Sequence, residues 1–352
     1  SLFRRFLYYT GAQGSPQEKL FSFGSFCGLM IDKRDFVPSG GIGLLDSFLT
    51  VTGQVATLFL MMSVGFVLGR LGRLTGAALD QLSFLLLYVV CPCIMIDSFL
   101  VEPTPALVRE VLLGGGIAVG LYALTVAFSL LFFRRQPPDA RDSLRFGVVY
   151  GNNGFMGLPL VESVLGSGAL IYGALSLAAF SLTSWTLGVL LMGGRRAFSL
   201  KNAVLNPGVL GLAVSLVLFL TGLRFPSPIA GAISFLGDLN TPLAMVVIGA
   251  QLAASDLPAA FRQPVLYLAS LLRLVVVPLL TALLLLPLGL SPGLYCALVL
   301  LSAVPTAGTT SLFAQRFGRD TAPAVQFITL STLLSIATLP LFAVLAQALS
   351  GL

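Results

Sequence analysis

Apolar runs of about 20 residues recur along the chain from Leu44 onward, and short polar connections separate them. Each run is long enough to cross the roughly 30 Å hydrocarbon core of a bilayer as an α-helix. The pattern predicts an all-α integral membrane protein with ten transmembrane helices. The predicted spans cover about residues 46–69, 79–100, 107–133, 143–166, 168–193, 204–223, 229–253, 263–288, 293–317 and 321–349.

Composition agrees with this prediction and excludes a soluble enzyme with a single anchor. Hydrophobic residues make up 57% of the 352 residues and charged residues 10%, and the mean hydropathy is +0.97. A soluble globular domain has about a quarter of its residues charged. Residues 1–45 differ, because they mix basic residues, glycines and scattered aromatics and lack a run of spanning length. We predict a poorly ordered tail there.

The connections between the predicted spans carry most of the positive charge. If ten spans alternate across the membrane, one side collects most of the basic residues, and the other side holds Arg109 and Arg224. Because cytoplasmic loops are enriched in Lys and Arg, both termini are predicted outside the cytoplasm, in a multi-pass protein of the cell (inner) membrane. The net charge of +6 therefore reflects orientation, and no nucleic-acid partner is expected. The side assigned to the cytoplasm carries Arg70, Arg73, Arg134, Arg135, Arg141, Arg145, Arg195, Arg196, Lys201, Arg262, Arg316 and Arg319.

Ten spans are consistent with two inverted five-helix repeats, at 46–200 and 201–352, because an odd number of spans per half reverses the orientation. Short similarities recur at this five-span offset. A Ser-Phe-Leu triplet precedes Pro92 in span two, and another precedes Pro242 in span seven. Span four carries Gly157-Leu158-Pro159, where we place its break, and span nine carries a second helix-breaking stretch around Pro305.

The stretch Tyr150–Leu160, with the sequence YGNNGFMGLPL, does not suit a helix that simply spans lipid. Its glycines and proline weaken the helix, and backbone freed in this way is tolerated at membrane depth only inside protein or beside a wet cavity. The stretch therefore indicates a binding site. Asn152 and Asn153 both donate and accept hydrogen bonds and would suit a carboxylate, although Asn also joins neighbouring membrane helices. We expect one of them to face the solute and the other to brace a neighbouring helix.

Two half-helices that begin near the breaks would present unpaired N–H groups and positive dipole ends to an anion. Pro159 frees backbone groups in span four, and Pro305 does so in span nine. Hydroxyl groups follow Pro305 directly. The predicted substrate-binding residues are Asn152, Asn153, Gly157, Pro159, Pro305, Thr306, Thr309 and Thr310.

Carboxylates within apolar spans are costly and are candidates for coupling or gating. Asp97 and Glu162 could also be solvated at helix ends, and Asp238 is the stronger candidate for an ion or proton site. Arg273 lies inside span eight, where it could snorkel or pair with a charge. The full set of coupling or gating candidates is Pro92, Asp97, Glu162, Asp238, Asn240, Thr241, Pro242 and Gln251.

The chain contains no histidine, which removes imidazole-based catalysis and a zinc set, and its four cysteines show no disulfide framework. A phosphate-binding loop with a following Lys is also absent. We therefore expect no cofactor, no metal and no enzyme activity, while coupling to sodium or protons remains open.

The motifs resemble the bacterial members of the auxin efflux carrier family, whose fourth span has an Asn-rich segment that runs into Gly-Leu-Pro. The similarity rests on YGNNGFMGLPL, on Leu301–Asp320 and on Leu236–Ala253, which includes Gly249 and Ala250, and it covers about residues 46–349. It implies two inverted five-helix repeats with spans four and nine broken and crossing near the midplane. The matching crossover residues are Asn152, Asn153, Gly157, Pro159 and Pro305.

The resemblance also implies a scaffold part, made of spans one, two, six and seven, and a transport part that moves as an elevator. Family substrates are organic anions, including auxin in plants and malonate-like dicarboxylates in some bacteria. Residues 1–45 have no counterpart in the family, and no long loop follows span five, which argues against plant-type auxin export. A sodium- or proton-coupled symporter of the bile-acid type and a receptor that binds without transport remain alternatives. A homodimer is left open.

Overall fold

The computed structural model describes residues 44–199, 201 and 205–351. Nearly all of the predicted tail, residues 1–45, lies outside this part of the chain. Regular structure in the described residues is helical apart from one isolated β-bridge. The helices are α1 Leu44–Arg70, α2 Gly76–Ser98, α3 Pro105–Ser129, α4 Pro138–Val149, α5 Leu158–Leu165, α6 Ser167–Gly193, α7 Pro207–Thr221, α8 Ser227–Ala254, α9 Leu257–Arg262, α10 Pro264–Leu288, α11 Pro292–Ala303, α12 Thr309–Arg316 and α13 Ala322–Ser350.

Among the described residues, seven helices are long and apolar enough to cross a membrane: α1, α2, α3, α6, α8, α10 and α13. Shorter apolar helices occupy Gly208–Thr221, within α7, and α11. The protein is therefore a multi-pass, all-helical membrane protein. Predicted spans four and nine are each divided into two short helices, and predicted span six corresponds to α7. Ten spans in two inverted repeats remain a prediction.

Three prolines follow a widened π-helical turn at the same distance. The turns are Leu86–Val90 before Pro92, Asn153–Gly157 before Pro159 and Leu272–Val276 before Pro278. A proline ring clashes with the carbonyl four residues earlier in an α-helix and provides no N–H for it. In a π turn the hydrogen bonds join residues five apart instead of four. A π turn before the proline therefore relieves the clash, and the helix continues past the proline.

Helix α1 and helix α8 touch through their backbones at two glycines. A Cβ on Gly249 would lie 1.8 Å from the Met62 carbonyl oxygen, and a Cβ on Gly65 would lie 2.0 Å from that of Val246. Small residues allow this approach, which is a common way of packing helices in membranes.

Elsewhere α3 packs along α6 and α11 packs along α13, with α4 also against α13.

Candidate functional site

The two broken segments cross and pair through their main chains. Between α4 and α5 the chain is extended around Gly151, between α11 and α12 it is extended around Thr306, and these two residues form an antiparallel β-bridge. The Asn152 N–H donates to the Pro305 carbonyl at 2.8 Å, and the Ala307 N–H donates to the Tyr150 carbonyl at 3.0 Å. We call Tyr150–Asn152 together with Val304–Ala307 the crossover. Here each broken segment satisfies backbone groups of the other.

The break in the first segment lies earlier than the sequence predicted. Helix α4 ends at Val149, whereas Pro159 lies in the first turn of α5. The π turn Asn153–Gly157 runs directly into α5, so the helix continues past Pro159 without a break there. Gly157 serves packing, since a Cβ would lie 2.6 Å from the Leu301 Cδ2. The placement of the break at Gly157-Leu158-Pro159 was therefore wrong, while the break around Pro305 agrees with the prediction.

The Asn153 side chain is buried and joins three elements. Its Nδ2 donates to the Tyr122 hydroxyl on α3 at 2.8 Å and to the Ser176 hydroxyl on α6 at 2.9 Å. Its Oδ1 is buried without a protein partner. Since both hydroxyl oxygens accept from the amide, each hydroxyl keeps its own hydrogen for another acceptor.

The neighbouring residue Asn152 forms hydrogen bonds within its own segment instead. Its Oδ1 accepts from the Phe155 N–H at 3.2 Å, and its own carbonyl accepts from the Met156 and Gly157 N–H groups. These bonds satisfy N–H donors of the π turn Asn153–Gly157. Asn152 therefore caps its own segment, and Asn153 is the one that braces neighbouring helices.

The three threonines after Pro305 also differ from one another. Thr306 is fully buried, with its hydroxyl donating to the Gly147 carbonyl at 3.1 Å and its N–H donating to the Ser331 hydroxyl at 3.2 Å. Thr309 and Thr310 begin α12, and both hydroxyl oxygens are buried without a protein partner. Thr306 thus holds the crossover to α4 and α13, while the other two leave hydrogen-bonding capacity unused.

Arg273, on α10, is the buried cation of the crossover. It is 2% exposed, and its Nε donates to the Val304 carbonyl at 2.8 Å. Its Nη1 lies 3.2 Å from the Val149 carbonyl oxygen and 3.4 Å from that of Val148. The interpretations from sequence, snorkelling or a charge pair, were wrong. The guanidinium instead bonds to the carbonyls at the ends of α4 and α11.

A small cavity of about 30 Å³ lies beside the crossover. Its polar lining comes from hydroxyl groups and one guanidinium, and the rest is aliphatic. Tyr122 and Ser176 reach it from the Asn153 network, and Arg273 reaches it from the crossover. The lining residues are Ala118, Leu121, Tyr122, Thr125, Val149, Ser176, Arg273, Val277, Thr281, Leu298, Leu301 and Ser302. Sequence reasoning missed Tyr122 and Ser176, which lie in long helices with no local sign of function.

The coupling or gating candidates are spread over several places. Glu162, near the end of α5, accepts a hydrogen bond from the Thr241 hydroxyl on α8 at 2.8 Å. Asn240 is fully buried, its Oδ1 lies 3.7 Å from the Cys91 Sγ, and its Nδ2 has no protein partner. The candidates that lie on α2 or at the surface of α8, away from the cavity, are Pro92, Asp97, Asp238, Pro242 and Gln251. In the part of the chain described, no group of His, Cys, Asp and Glu side chains is arranged to hold a metal ion.

The chain is similar to known membrane transport proteins. A family model described as "Membrane transport protein" matches residues 50–206 and 196–343. The chain belongs to this family, the auxin efflux carrier family. A protein of Rhizobium meliloti named "Putative malonate transporter" is 26% identical over 304 residues, which cover 82% of this chain and 93% of the relative. An "Uncharacterized transporter" of Methanothermobacter thermautotrophicus is 26% identical over 303 residues, which cover 84% and 99%. The family and these relatives are transporters and not enzymes.

Proposed function

We propose that this member of the auxin efflux carrier family is a secondary transporter that carries a small organic anion, a carboxylate, by elevator-type alternating access. The observation that carries the proposal is the crossover with a polar cavity beside it. Irregular backbone at membrane depth is found where it lines a cavity, and transporters of small solutes use crossed, broken helices at their substrate sites. The relative named for malonate supports a dicarboxylate as the first substrate to test.

The chemistry of the cavity suits a carboxylate. Asn153 donates one hydrogen bond to each of the Tyr122 and Ser176 hydroxyls, and each hydroxyl retains its own hydrogen to donate toward the cavity. Arg273 also lines the cavity, with carbonyl oxygens as its hydrogen-bond partners. A carboxylate that accepts from hydroxyl donors next to a cation forms charge-assisted hydrogen bonds, which are stronger than neutral ones. The aliphatic lining, such as Val277 and Leu298, would contact the carbon skeleton.

The proposed moving part is α3 to α6 with α10 to α13, and side chains hold it together at both ends. Arg319 donates to Asp139 and to Asp142, at 2.9 Å each, and also contacts the Met192 carbonyl, which ties the loop after α12 to the start of α4 and to α6. Tyr172 on α6 donates to Glu110 on α3. The proposed scaffold is α1, α2, α7 and α8. The Glu162–Thr241 bond crosses from one part to the other.

Uptake of radiolabelled malonate, succinate and acetate into proteoliposomes tests the function directly. We expect uptake of at least one carboxylate, a loss of uptake in Asn153→Ala, and a smaller effect in Asn152→Ala, which changes a helix cap. Tyr295→Phe is the matched control for a buried hydroxyl, because Tyr295 donates to the Ala282 carbonyl and does not line the cavity. If both asparagine variants transport like the unmodified protein, the site assignment is wrong. Tight binding without flux would favour a receptor.

A further inference from the structure

Two half-helices end at the same buried point, and a side chain fills it. Helix α4 ends at Val149 and α11 at Ala303, and the carbonyls of Val148, Val149 and Val304 converge on the Arg273 guanidinium at 2.8 to 3.4 Å. The C-terminal end of a helix carries a partial negative charge of about half a unit, and its last carbonyls have no helical donor. Together the two ends form a site for about one positive charge.

Half-helix C-terminal ends and unwound carbonyls are where coupling cations bind in transporters with broken helices. Here that position is held by a guanidinium, which is covalently part of α10 and stays protonated at neutral pH. The Arg273 guanidinium also packs tightly against the backbone of Gly151, since a Cβ on Gly151 would lie 1.8 Å from the Arg273 Nη2. A dissolved cation therefore has neither free carbonyls nor space at this point.

We propose that Arg273 is a built-in substitute for a coupling cation, so that the anion is carried without sodium. This inference rests on the proposed function, and it removes sodium coupling from the alternatives that the sequence left open. Arg273 is a positioning residue in this account, because it neutralises the two helix ends and holds them at the crossover. The charge that a sodium-coupled carrier must collect in each cycle is present here at all times.

The first measurement is carboxylate uptake by the unmodified protein in sodium medium and in choline medium. Equal rates are expected. Uptake that requires sodium overturns the proposal. If no carboxylate is carried in either medium, the proposed function fails, and the inference about Arg273 is then decided by the binding measurement described next, which needs no substrate.

The second measurement follows the thermal unfolding of purified Arg273→Ala as millimolar guanidinium, sodium or urea is added. The truncation leaves the carbonyls without their donor and opens a space of guanidinium size. Guanidinium or sodium is expected to raise the midpoint of Arg273→Ala and not that of the unmodified protein, because a ligand that binds the folded state stabilises it by mass action. Urea is the neutral control of similar shape. Equal responses to guanidinium and urea, or no response to either cation, overturn the proposal.

The third measurement is carboxylate uptake by variants of Arg273. Carboxylate uptake by Arg273→Ala in choline medium is expected to fall at least about tenfold, because hydrogen bonds to a charged group are lost. Added guanidinium or sodium is expected to restore part of this uptake. Arg273→Lys keeps the charge and is expected to stay sodium-independent. If Arg273→Ala does not fold, Arg273→Lys decides: sodium-dependent uptake by this variant contradicts the proposal.

Discussion

Gly151 leaves the space that Arg273 fills. A Cβ at position 151 would lie 1.8 Å from the Nη2 and 2.6 Å from the Cζ of the guanidinium, and the same residue forms the β-bridge with Thr306. A side chain and two backbone segments therefore meet at a position where only hydrogen fits. The crossover depends on this glycine for its closeness and not for an unusual backbone angle, since its φ is not positive.

Gly151→Ala is expected to destabilise the protein and to reduce carboxylate uptake. The methyl group must displace the guanidinium or separate the two segments, and overpacking of this kind costs about 1–3 kcal/mol. The thermal unfolding midpoint in detergent and the uptake rate measure the two effects. Gly116→Ala on α3 is the control, because nothing lies within 4 Å of a Cβ there, and alanine favours a helix over glycine by up to about 1 kcal/mol. Equal midpoints for the two variants would contradict the prediction.

Tyr122→Phe and Ser176→Ala are each expected to raise the KM for the carboxylate and to lower the unfolding midpoint, because each also removes an acceptor of the buried Asn153 amide. Each variant removes one proposed donor to the anion, and a hydrogen bond to a charged group is worth about 1.5–3 kcal/mol, which corresponds to about tenfold or more in affinity. Concentration series of uptake in proteoliposomes give the KM. Ser129→Ala is the control for Ser176, because Ser129 is also buried and its hydroxyl bonds within its own helix. An unchanged KM in both variants would remove the two hydroxyls from the site.

Thr241→Val is expected to change the rate of transport without changing how tightly the carboxylate binds. The Thr241 hydroxyl bonds to Glu162 across the boundary between the proposed moving part and scaffold, so its loss alters the balance between two arrangements of these parts. The maximal uptake rate and the thermal shift with substrate are the two readouts.

Glu162→Gln provides the comparison for that prediction, because its amide oxygen still accepts from Thr241. The rate should therefore remain closer to that of the unmodified protein. The double variant with Thr241→Val should add little to the effect of Thr241→Val alone, since both changes act on one bond. Additive effects of the two changes would show that the bond does not act as a unit.

Gly249→Ala is expected to lower the unfolding midpoint strongly. The added methyl would lie 1.8 Å from the Met62 carbonyl oxygen, which belongs to a backbone and cannot rotate away. Helices α1 and α8 would have to separate, at a cost of about 1–3 kcal/mol. Gly120→Ala on α3, where a Cβ meets nothing within 4 Å, is the matched control. A midpoint equal to that of the control would contradict the close packing of α1 and α8.

The sequence indicated the crossover because its signals are local. Asn152, Asn153 and Pro305 lie in two short stretches whose composition does not suit a continuous helix. The break was placed too late because Pro159 is the stronger signal in the sequence, yet the π turn before it absorbs its effect and moves the extended residues to Tyr150–Asn152.

Other parts of the site depend on contacts between distant segments and leave no local signal. Tyr122 and Ser176 meet Asn153 only once α3, α6 and the crossover are packed together. Arg273 was conspicuous as a charge within an apolar run, but its partners are carbonyls, and every residue has one. Its role is defined by the ends of two other helices. In the sequence, Arg273 is 31 residues from Val304 and 124 residues from Val149.

The joint between the two crossed segments consists of main-chain groups: the Asn152 N–H with the Pro305 carbonyl, and the Ala307 N–H with the Tyr150 carbonyl. These two hydrogen bonds use no side-chain atom. Substitutions of cavity-wall side chains that do not contact the crossover should therefore leave these two bonds in place. For engineering, the wall residues other than Arg273, such as Leu121, Thr125 and Leu298, are the positions to diversify, and the crossover with Gly151 and Arg273 is the part to leave untouched.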